Sequence, residues 1–528
     1  PLRRRDPLIL DLNGDGIGTK NYKNGAIFDH DGDGFAEITG WVDAHDGFLV
    51  MDRNGDGVIN DDKELFGDQT ILKNGTKAAN GFEALADLDS NQDGKIAAND
   101  AAFSLLRVWQ DSNGDGYSSA DELFSLDELG IKSINLDSSV ANITDAKGYT
   151  KIRVGSFEKT DGTTGEIAEC TLRADPMYAI PLEWLDTPND IKALPELTGS
   201  GSLYSLHQSM VRDGSGALTS LVEQFVRASD ASSRNALMDQ ILFAWAGTQD
   251  IDPASRGTGI DARKVGVIER YFGQSFTAMT GANLTQEGAV ALNDSYMEIF
   301  ERTYAQLMAQ THLKDLYDKL DYTCCDGADE YTTDTTAVIA ALQETLAADP
   351  EKGKELLSEF ARTRRGLGYF GKTCYLAFRE AFIQQDPSLG WVFDTGGLSV
   401  IEHTGQGDGW YYPHMFGTWG SDAVKGSLTA GDGVINGLSG DDVIYGTARN
   451  ESIYHSDGDA LIVAGGGRDT IWAGAGNDIL DGGEGSDTLR GETGNDMYIF
   501  RVGSGRDTII ETDKTVGNVD TIWIGSFL

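Results

Sequence analysis

The chain has 528 residues, long enough for three or four domains of ordinary size. Its 84 acidic and 42 basic residues give a formal charge of −42, which repels DNA, RNA and anionic lipid and excludes a nucleic-acid or membrane-surface role. With 40% apolar residues and acids recurring at fixed spacings, it is not a disordered chain by composition, and an ordered chain this acidic needs cations.

In chain order, residues 1–175 alternate short apolar runs with loops of the form D-x-[DN]-x-D-G. Strands are expected over 131–136, 151–157 and 166–172, and short helices over 82–88 and 101–109. A hard cation such as Ca²⁺ takes roughly six to eight oxygens on a loop that can wrap it. The motif offers side-chain oxygens at positions 1, 3 and 5, a glycine for the sharp turn, and a carboxylate at position 12 to close the far side. Five loops match its first half. Asp11, Asn13 and Asp15 form the first, with Tyr22 where the closing acid belongs. Asp29, Asp31 and Asp33 form the second, which offers Glu37 at position 9 but Gly40 at position 12. Asp52, Asn54 and Asp56 are followed by Lys63, with Glu64 one step late. Asp89, Asn91 and Asp93 close with Asp100, and Asp111, Asn113 and Asp115 close with Glu122. One such loop could be a mere Asp/Gly turn; five in close succession are not.

Residues 176–395 lose these loops and become helical. Leu218, Leu221, Val222, Phe225 and Val226 fall on one helical face, and so do Tyr296, Ile299, Phe300, Thr303, Tyr304, Leu307 and Met308 within 293–320. Further helices are expected near 234–246, 260–279, 335–348 and 351–385. Such stripes read as helical core.

A linker or degenerate repeat is expected over 396–436, and then a period of nine sets in. Seven nonapeptides run in register over residues 437–499. They follow G-G-x-G-x-D-x-U-x, with Asp442, Asp469, Asp478, Asp487 and Asp496 at the acidic position and Ile444, Ile471, Leu480, Leu489 and Tyr498 at the apolar one. The segments starting at Gly446 and His455 have lost the Asp. A nine-residue half-turn cannot bury its apolar side alone, and stacked turns bearing bare carboxylates repel, so stacking and metal binding are tied together. The expected fold class is therefore multidomain α+β: an EF-hand-like calcium module with β strands, an α-helical middle domain, and a C-terminal coil of stacked parallel strands over 437–528. The expected cofactor is Ca²⁺, in several copies.

Other signals are weak. Cys170, Cys324, Cys325 and Cys374 have neither zinc-type spacing nor a disulfide framework and read as thiols. No apolar run reaches about 18 residues, so no membrane span is expected. No G-x-S-x-G, H-E-x-x-H or phosphate-binding loop occurs, and His312 reads as structural. With no leader before Arg3-Arg4-Arg5 and an abrupt stop at Phe527-Leu528, the expectation is a portion of a longer polypeptide.

The nonapeptides resemble those of the RTX proteins, type I-secreted bacterial proteins whose repeats form a parallel β-roll. The resemblance implies Ca²⁺ between turns two repeats apart, pairing Asp469 with Asp487 and Asp478 with Asp496. Residues 5–16 (RDPLILDLNGDG), with FDHDGDGFAEITGW from Phe28, MDRNGDGVIN from Met51, VWQDSNGDGYSSADEL from Val108 and GSFEKTDGTTG from Gly155, resemble an FrpC-like self-processing module over about 1–175. The helical middle resembles a segment common in large RTX proteins. The resemblance implies a secreted, extracellular protein. It also implies single-turnover, Ca²⁺-triggered cleavage of one Asp-Pro bond, here Asp6-Pro7, with joining of the new Asp end to a lysine of another protein as a second outcome.

The chemistry is sensible: the Asp6 carboxylate attacks its own main-chain carbonyl, forms a cyclic anhydride and expels the Pro7 nitrogen. Proline has no N–H with which to take the competing succinimide route. Asp also precedes Pro176, Pro253, Pro350 and Pro387, so sequence alone does not single out this bond. Two alternatives stand beside this reading: a non-enzymatic, calcium-stiffened adhesin or scaffold in which Asp6-Pro7 is inert, and a bacteriocin or toxin whose effector is the helical middle domain.

Overall fold

The computed structural model describes residues 3–144, 149–257, 259–276, 284–324, 331–368, 372–386, 388–396, 399–402, 414–416, 421–426 and 433–525. The chain divides into two compact units, one built from residues 1–225 and 239–285, the other from 226–238 and 286–528.

The first unit is organised by one long strand, Thr164–Pro181. Strands pair antiparallel in the order Leu123–Ser125, Arg107–Trp109, Gly47–Val50, Leu8–Leu10, Thr164–Pro181, Thr150–Lys159, Ile131–Asn135 and Lys95–Ala97. The long strand also carries Arg3–Arg5 and, across an irregularity between Asp175 and Ala179, Phe35–Thr39. Successive side chains of a strand point to opposite faces, so this sheet buries two cores. Leu8, Leu10, Leu49, Val108, Phe157 and Ile167 pack on one side with Phe66, Phe82 and Leu85. Ile9, Phe48, Trp109, Ala168, Cys170 and Leu172 pack on the other with Phe28 and Trp41. Cys170 is a buried thiol, as expected; the side chains of the other three cysteines lie outside the described residues.

The expected strands at 131–136, 151–157 and 166–172 form, the last two within longer strands. The expected helix over 101–109 does not. Residues 101–105 are turns, and Arg107–Trp109 is a strand. Val108 and Trp109 bury on opposite faces, a period of two that three residues cannot announce in a sequence. The acidic loops keep the EF-hand ligand spacing without its helix–loop–helix frame. The loop at Asp29 joins the paired strands Ala26–Phe28 and Phe35–Thr39, and the loop at Asp111 joins Arg107–Trp109 and Leu123–Ser125.

In the second unit the helices Gln286–Gln310, Thr336–Ala348, Pro350–Gly366 and Lys372–Ile383 match the expected periodicity. The single helix expected over 351–385 is two. Asp349 caps the first by accepting the Lys352 N–H (3.2 Å), and Gly368, at φ +69°, sits in a backbone conformation that ends it.

The nonapeptides stack into a β-roll of two parallel sheets. One runs Asp422–Lys425, Val443–Tyr445, Leu461–Val463, Ile479–Asp481, Met497–Phe500, Thr521–Ile524. The other runs Gly433–Asn436, Glu451–Tyr454, Thr470–Trp472, Thr488–Arg490, Thr508–Ile509. The roll thus reaches into the segment expected as a linker or degenerate repeat. Ile444, Ile462, Leu480 and Tyr498 stack in register on one sheet, Ile453, Ile471 and Leu489 on the other, and all are buried together with Ala464 and Ala473. Ile471→Ala should lower the stability of the roll by about 2–5 kcal/mol, the cost of a cavity in a close-packed stack. Denaturant unfolding in calcium, followed by the fluorescence of Trp472, would measure it.

Candidate metal centres and the Asp6-Pro7 junction

The five loops share one construction. The first Asp of each accepts two main-chain N–H groups: Asp11 from Gly14 and Gly16 (2.7 and 2.9 Å), Asp29 from Gly32 and Gly34 (2.7 and 2.9 Å), Asp52 from Gly55 and Gly57 (2.6 and 2.9 Å). Asp89 accepts from Gln92 and Gly94 (2.7 and 3.0 Å), Asp111 from Gly114 and Gly116 (2.7 and 2.9 Å). At position 3, Asn13, Asn54, Asn91 and Asn113 accept the N–H of Asp15, Asp56, Asp93 and Asp115. The last three of these, and Asp33 in its own loop, accept in turn from Val58, Lys95, Tyr117 and Phe35. In two of the loops this winding brings the carboxylates together. Oxygens of Asp29, Asp31 and Asp33 lie within 4.8 Å of one another, as do those of Asp111, Asp115 and Glu122. Trp41 Nε1 donates to Asp111 Oδ2 at 2.7 Å, fixing this last loop to the aromatic core.

Closure is where the structure adds to the sequence. Asp100 and Glu122 fold back onto their loops, accepting N–H groups from the loop's own residues: Ser90 and Ala97 for Asp100 (2.9 and 3.0 Å), Ser119 for Glu122 (3.3 Å). Glu64, one step late in sequence, does the same by accepting from Arg53 and Asn60 (3.1 and 3.0 Å). Glu37 accepts the His30 N–H at 3.0 Å. For the first loop, whose position 12 is Tyr22, the closing group comes from elsewhere: Asp46 accepts from Leu12 at 3.3 Å and from Gly18 at 2.7 Å. Asp46 is buried, and burial, followed by the charges of Asp11 and Asp15, pushes its carboxyl up to about 6. No motif scan finds it, because it lies 34 residues from the backbone it closes.

In the β-roll four of the acidic positions reach 18 residues back along the stack. Asp469 accepts from Glu451 N (2.7 Å), Asp478 from Ala460 N (2.8 Å), Asp487 from Asp469 N (2.8 Å) and Asp496 from Asp478 N (2.8 Å). Asp442 accepts from Asp422 N at 2.8 Å, across 20 residues. Glu451 fills the acidic position of the segment that has lost its Asp and is buried there. The ladder continues past the repeats, where Asp507 and Asp520 accept from Asp487 N and Asp496 N (2.9 and 3.0 Å), and Asp520 and Glu511 gather with Asp496. Both ring nitrogens of His455 face main-chain carbonyls, Ala473 at 2.8 Å and Gly440 at 2.9 Å, with Asp442 Oδ2 at 3.5 Å.

These oxygens fit a hard cation. Asp487 Oδ2 is buried and makes no hydrogen bond, a costly state for a carboxylate unless an ion meets it. Burial, ahead of neighbouring acids, pushes Asp442 up to about 8 and Asp487 up to about 6.

At the other end of the chain, Asp6 and Pro7 bridge two strands that share a partner. Arg5 stands opposite Leu172 and Leu8 opposite Glu169, so the register is kept across the proline. Asp6 Oδ1 accepts the Asp68 N–H at 3.1 Å, Pro7 O accepts the Cys170 N–H at 3.1 Å, and Leu8 N donates to Phe66 O at 3.0 Å. Gly67 comes so close that a Cβ on it would stand 3.1 Å from Asp6 Oδ1 and 3.2 Å from Asp6 O. A recess of about 10 Å³, room for one water, is lined by Asp6, Pro7, Asp62, Leu65, Gly67 and Asp68. Burial, then the charge of Asp68, pushes the Asp6 carboxyl up to about 8.

Two measurements check this geometry. A carboxyl raised on folding favours the folded chain while protonated; that contribution is complete below the unfolded value of 3.8 and is lost as pH rises through about 6 to about 8. In EGTA the roll should therefore melt higher at about pH 5 than at about pH 8.5, and saturating calcium should abolish the difference. Asp46→Ala should remove one calcium-binding step or weaken it by about 10-fold or more in calorimetric titration, leaving the other steps in place.

Comparison with known proteins places these features. Residues 8–173 match the SPM domain, a stretch that starts just after Pro7. The RTX calcium-binding nonapeptide repeat matches in four copies, at 416–450, 427–462, 454–489 and 463–498. Over 400 residues the chain is 33% identical to the iron-regulated protein FrpA of Neisseria meningitidis serogroup C, a match that takes in 67% of this chain and 35% of that protein. This chain thus spans about a third of its relative's length. The chain carries an SPM domain ahead of a β-roll of RTX calcium-binding nonapeptide repeats and is similar to FrpA.

Proposed function

We propose that this is a secreted calcium-binding protein whose N-terminal region cuts its own Asp6-Pro7 bond when its loops fill with Ca²⁺. The observation that carries the reading is the way the bond is held. One carboxylate oxygen of Asp6 is fixed by the Asp68 N–H, the Pro7 carbonyl is fixed by the Cys170 N–H, and the strand register runs unbroken through both. A side chain tethered beside the carbonyl it attacks gains the proximity worth up to roughly 7–11 kcal/mol in well-oriented intramolecular reactions. Attack by Asp6 Oδ on its own main-chain carbon forms the five-membered anhydride, and the Pro7 nitrogen leaves as a secondary amine. Water then opens the anhydride, leaving two carboxyl groups on Asp6. A lysine amine in place of water would leave an Asp–Lys isopeptide bond, the route by which another protein would become a partner.

The route from calcium to this bond is short. Glu64 closes the loop at Asp52, and the segment it begins runs through Phe66 and Asp68, which hold Leu8 and Asp6. His30, in the loop at Asp29, hydrogen-bonds Asp62 at 2.8 Å, and Asp62 lines the recess beside Asp6. Ions at these two loops would therefore fix residues 61–68 against the scissile peptide.

Millimolar Ca²⁺ near neutral pH should release everything ahead of Pro7, read by intact-mass spectrometry, and Asp6→Ala should abolish the release. A wild-type chain still whole after prolonged incubation in calcium would defeat the proposal.

A further inference from the structure

We propose that Glu169 is the proton-handling partner of Asp6, an inference that rests on the cleavage reading above. Glu169 stands opposite Leu8 in the antiparallel pair, and Asp6 lies two residues before Leu8, so the carboxyls of Glu169 and Asp6 project from the same face of the sheet. That face carries the core in which Leu8, Leu10 and Ile167 pack. Glu169 is 1% exposed. Its Oε1 accepts the Gly81 N–H at 2.8 Å, while Oε2 is buried and has no hydrogen-bond partner.

A buried carboxylate oxygen without a donor, beside a second carboxyl in the same pocket, is the setting in which two acids hold one proton between them. Burial raises both groups, and the charge of Glu169 raises Asp6 further. The remaining charged groups that face the pair are Asp68 and Asp62 at the recess and Arg153, whose Nε is 4.0 Å from Glu169 Oε2. Asp68 is less suited to the task, since its own side chain is engaged by Gln69 Nε2 at 2.7 Å.

The chemistry needs such a group twice. Asp6 must lose its proton to become a nucleophile, and the Pro7 nitrogen must gain one to leave. Glu169 Oε2 takes the proton from the Asp6 carboxyl. Asp6 Oδ then adds to the Asp6 carbonyl carbon, the C–N bond to Pro7 breaks, and the proton on Glu169 passes to the departing nitrogen. The products are the anhydride, a neutral Pro7 amine and Glu169 again ionised, with no co-reactant consumed.

The test is Glu169→Gln in the full chain. Gln keeps an oxygen for the Gly81 N–H and loses the base. In saturating calcium the first-order cleavage rate should fall by about 100-fold or more, and the decline of rate with rising pH, expected through about 8 in the wild type, should move to lower pH because one of the charges that raise Asp6, beside burial and Asp68, is gone. A variant that cuts at the wild-type rate with an unmoved pH profile would overturn the inference. A wild-type chain that does not cut at all would instead remove the cleavage reading itself. Should the variant fail to fold, as judged by its calcium-loaded melting curve, the wild-type rate in D₂O decides. Slowing by about twofold or more is expected for a proton in flight, and equal rates in H₂O and D₂O would overturn the assignment.

Discussion

Carboxylates that leave water must meet a positive charge or a proton, and both units of this chain are arranged around that demand. The loops turn their acids inward by giving one or two main-chain N–H groups to each, and the roll does the same by lending every acidic side chain an N–H from two repeats earlier. These donors orient the oxygens without neutralising them. An N–H is a partial charge, and it leaves Asp442 and Asp487 well above the usual carboxylate range. The missing charge has to come from outside the chain, and for oxygen-only sites of this geometry a divalent hard cation supplies it. Metal and fold are then a single equilibrium: what the ion loses in hydration, it returns as packing among Ile444, Ile462, Leu480 and their neighbours.

The same demand operates with the opposite remedy at Asp6. Here a carboxyl is buried among Asp62, Asp68 and Glu169, and burial holds it in its protonated form. One region of the sheet therefore answers crowded acids with protons, while the loops around it are shaped for metal. The two are joined by a stretch of chain only a few residues long, from Glu64 to Asp68, and by the buried contact of His30 with Asp62 and Thr39.

Much of this was legible in the residues. The repeat of nine gave the stacked coil and its inward residues, because a short period repeated many times leaves few ways to stack, while the pairing of Asp469 with Asp487 and of Asp478 with Asp496 came from the resemblance to RTX repeats. The opening acidic and amide residues of all five loops were equally plain, since each is local in sequence. What escaped were groups supplied from a distance or by a near-equivalent: Asp46, which closes a loop from another strand's turn; Glu451, which stands in for an Asp; Glu511 and Asp520, which gather at Asp496 beyond the last repeat. The helix expected at 101–109 failed for a related reason. Three residues of strand hold their conformation through Gly47–Val50 and Leu123–Ser125, and neither partner is visible in a local window. Glu169 was invisible for the same cause, since only the strand pairing brings it to Asp6.

The unbroken register of Arg3–Arg5 and Leu8–Leu10 along one partner strand has a consequence for what remains after scission. If the Asp6-Pro7 bond is cut as proposed, the severed stretch would keep its backbone pairs with Leu172, Arg173 and Ala174 but lose its tether, so its occupancy would become a matter of concentration. On dilution it would depart and leave the long strand with an unfilled row of donors and acceptors at its rim. Such a vacancy would be a ready seat for a foreign extended peptide, a docking groove that the uncut chain does not have.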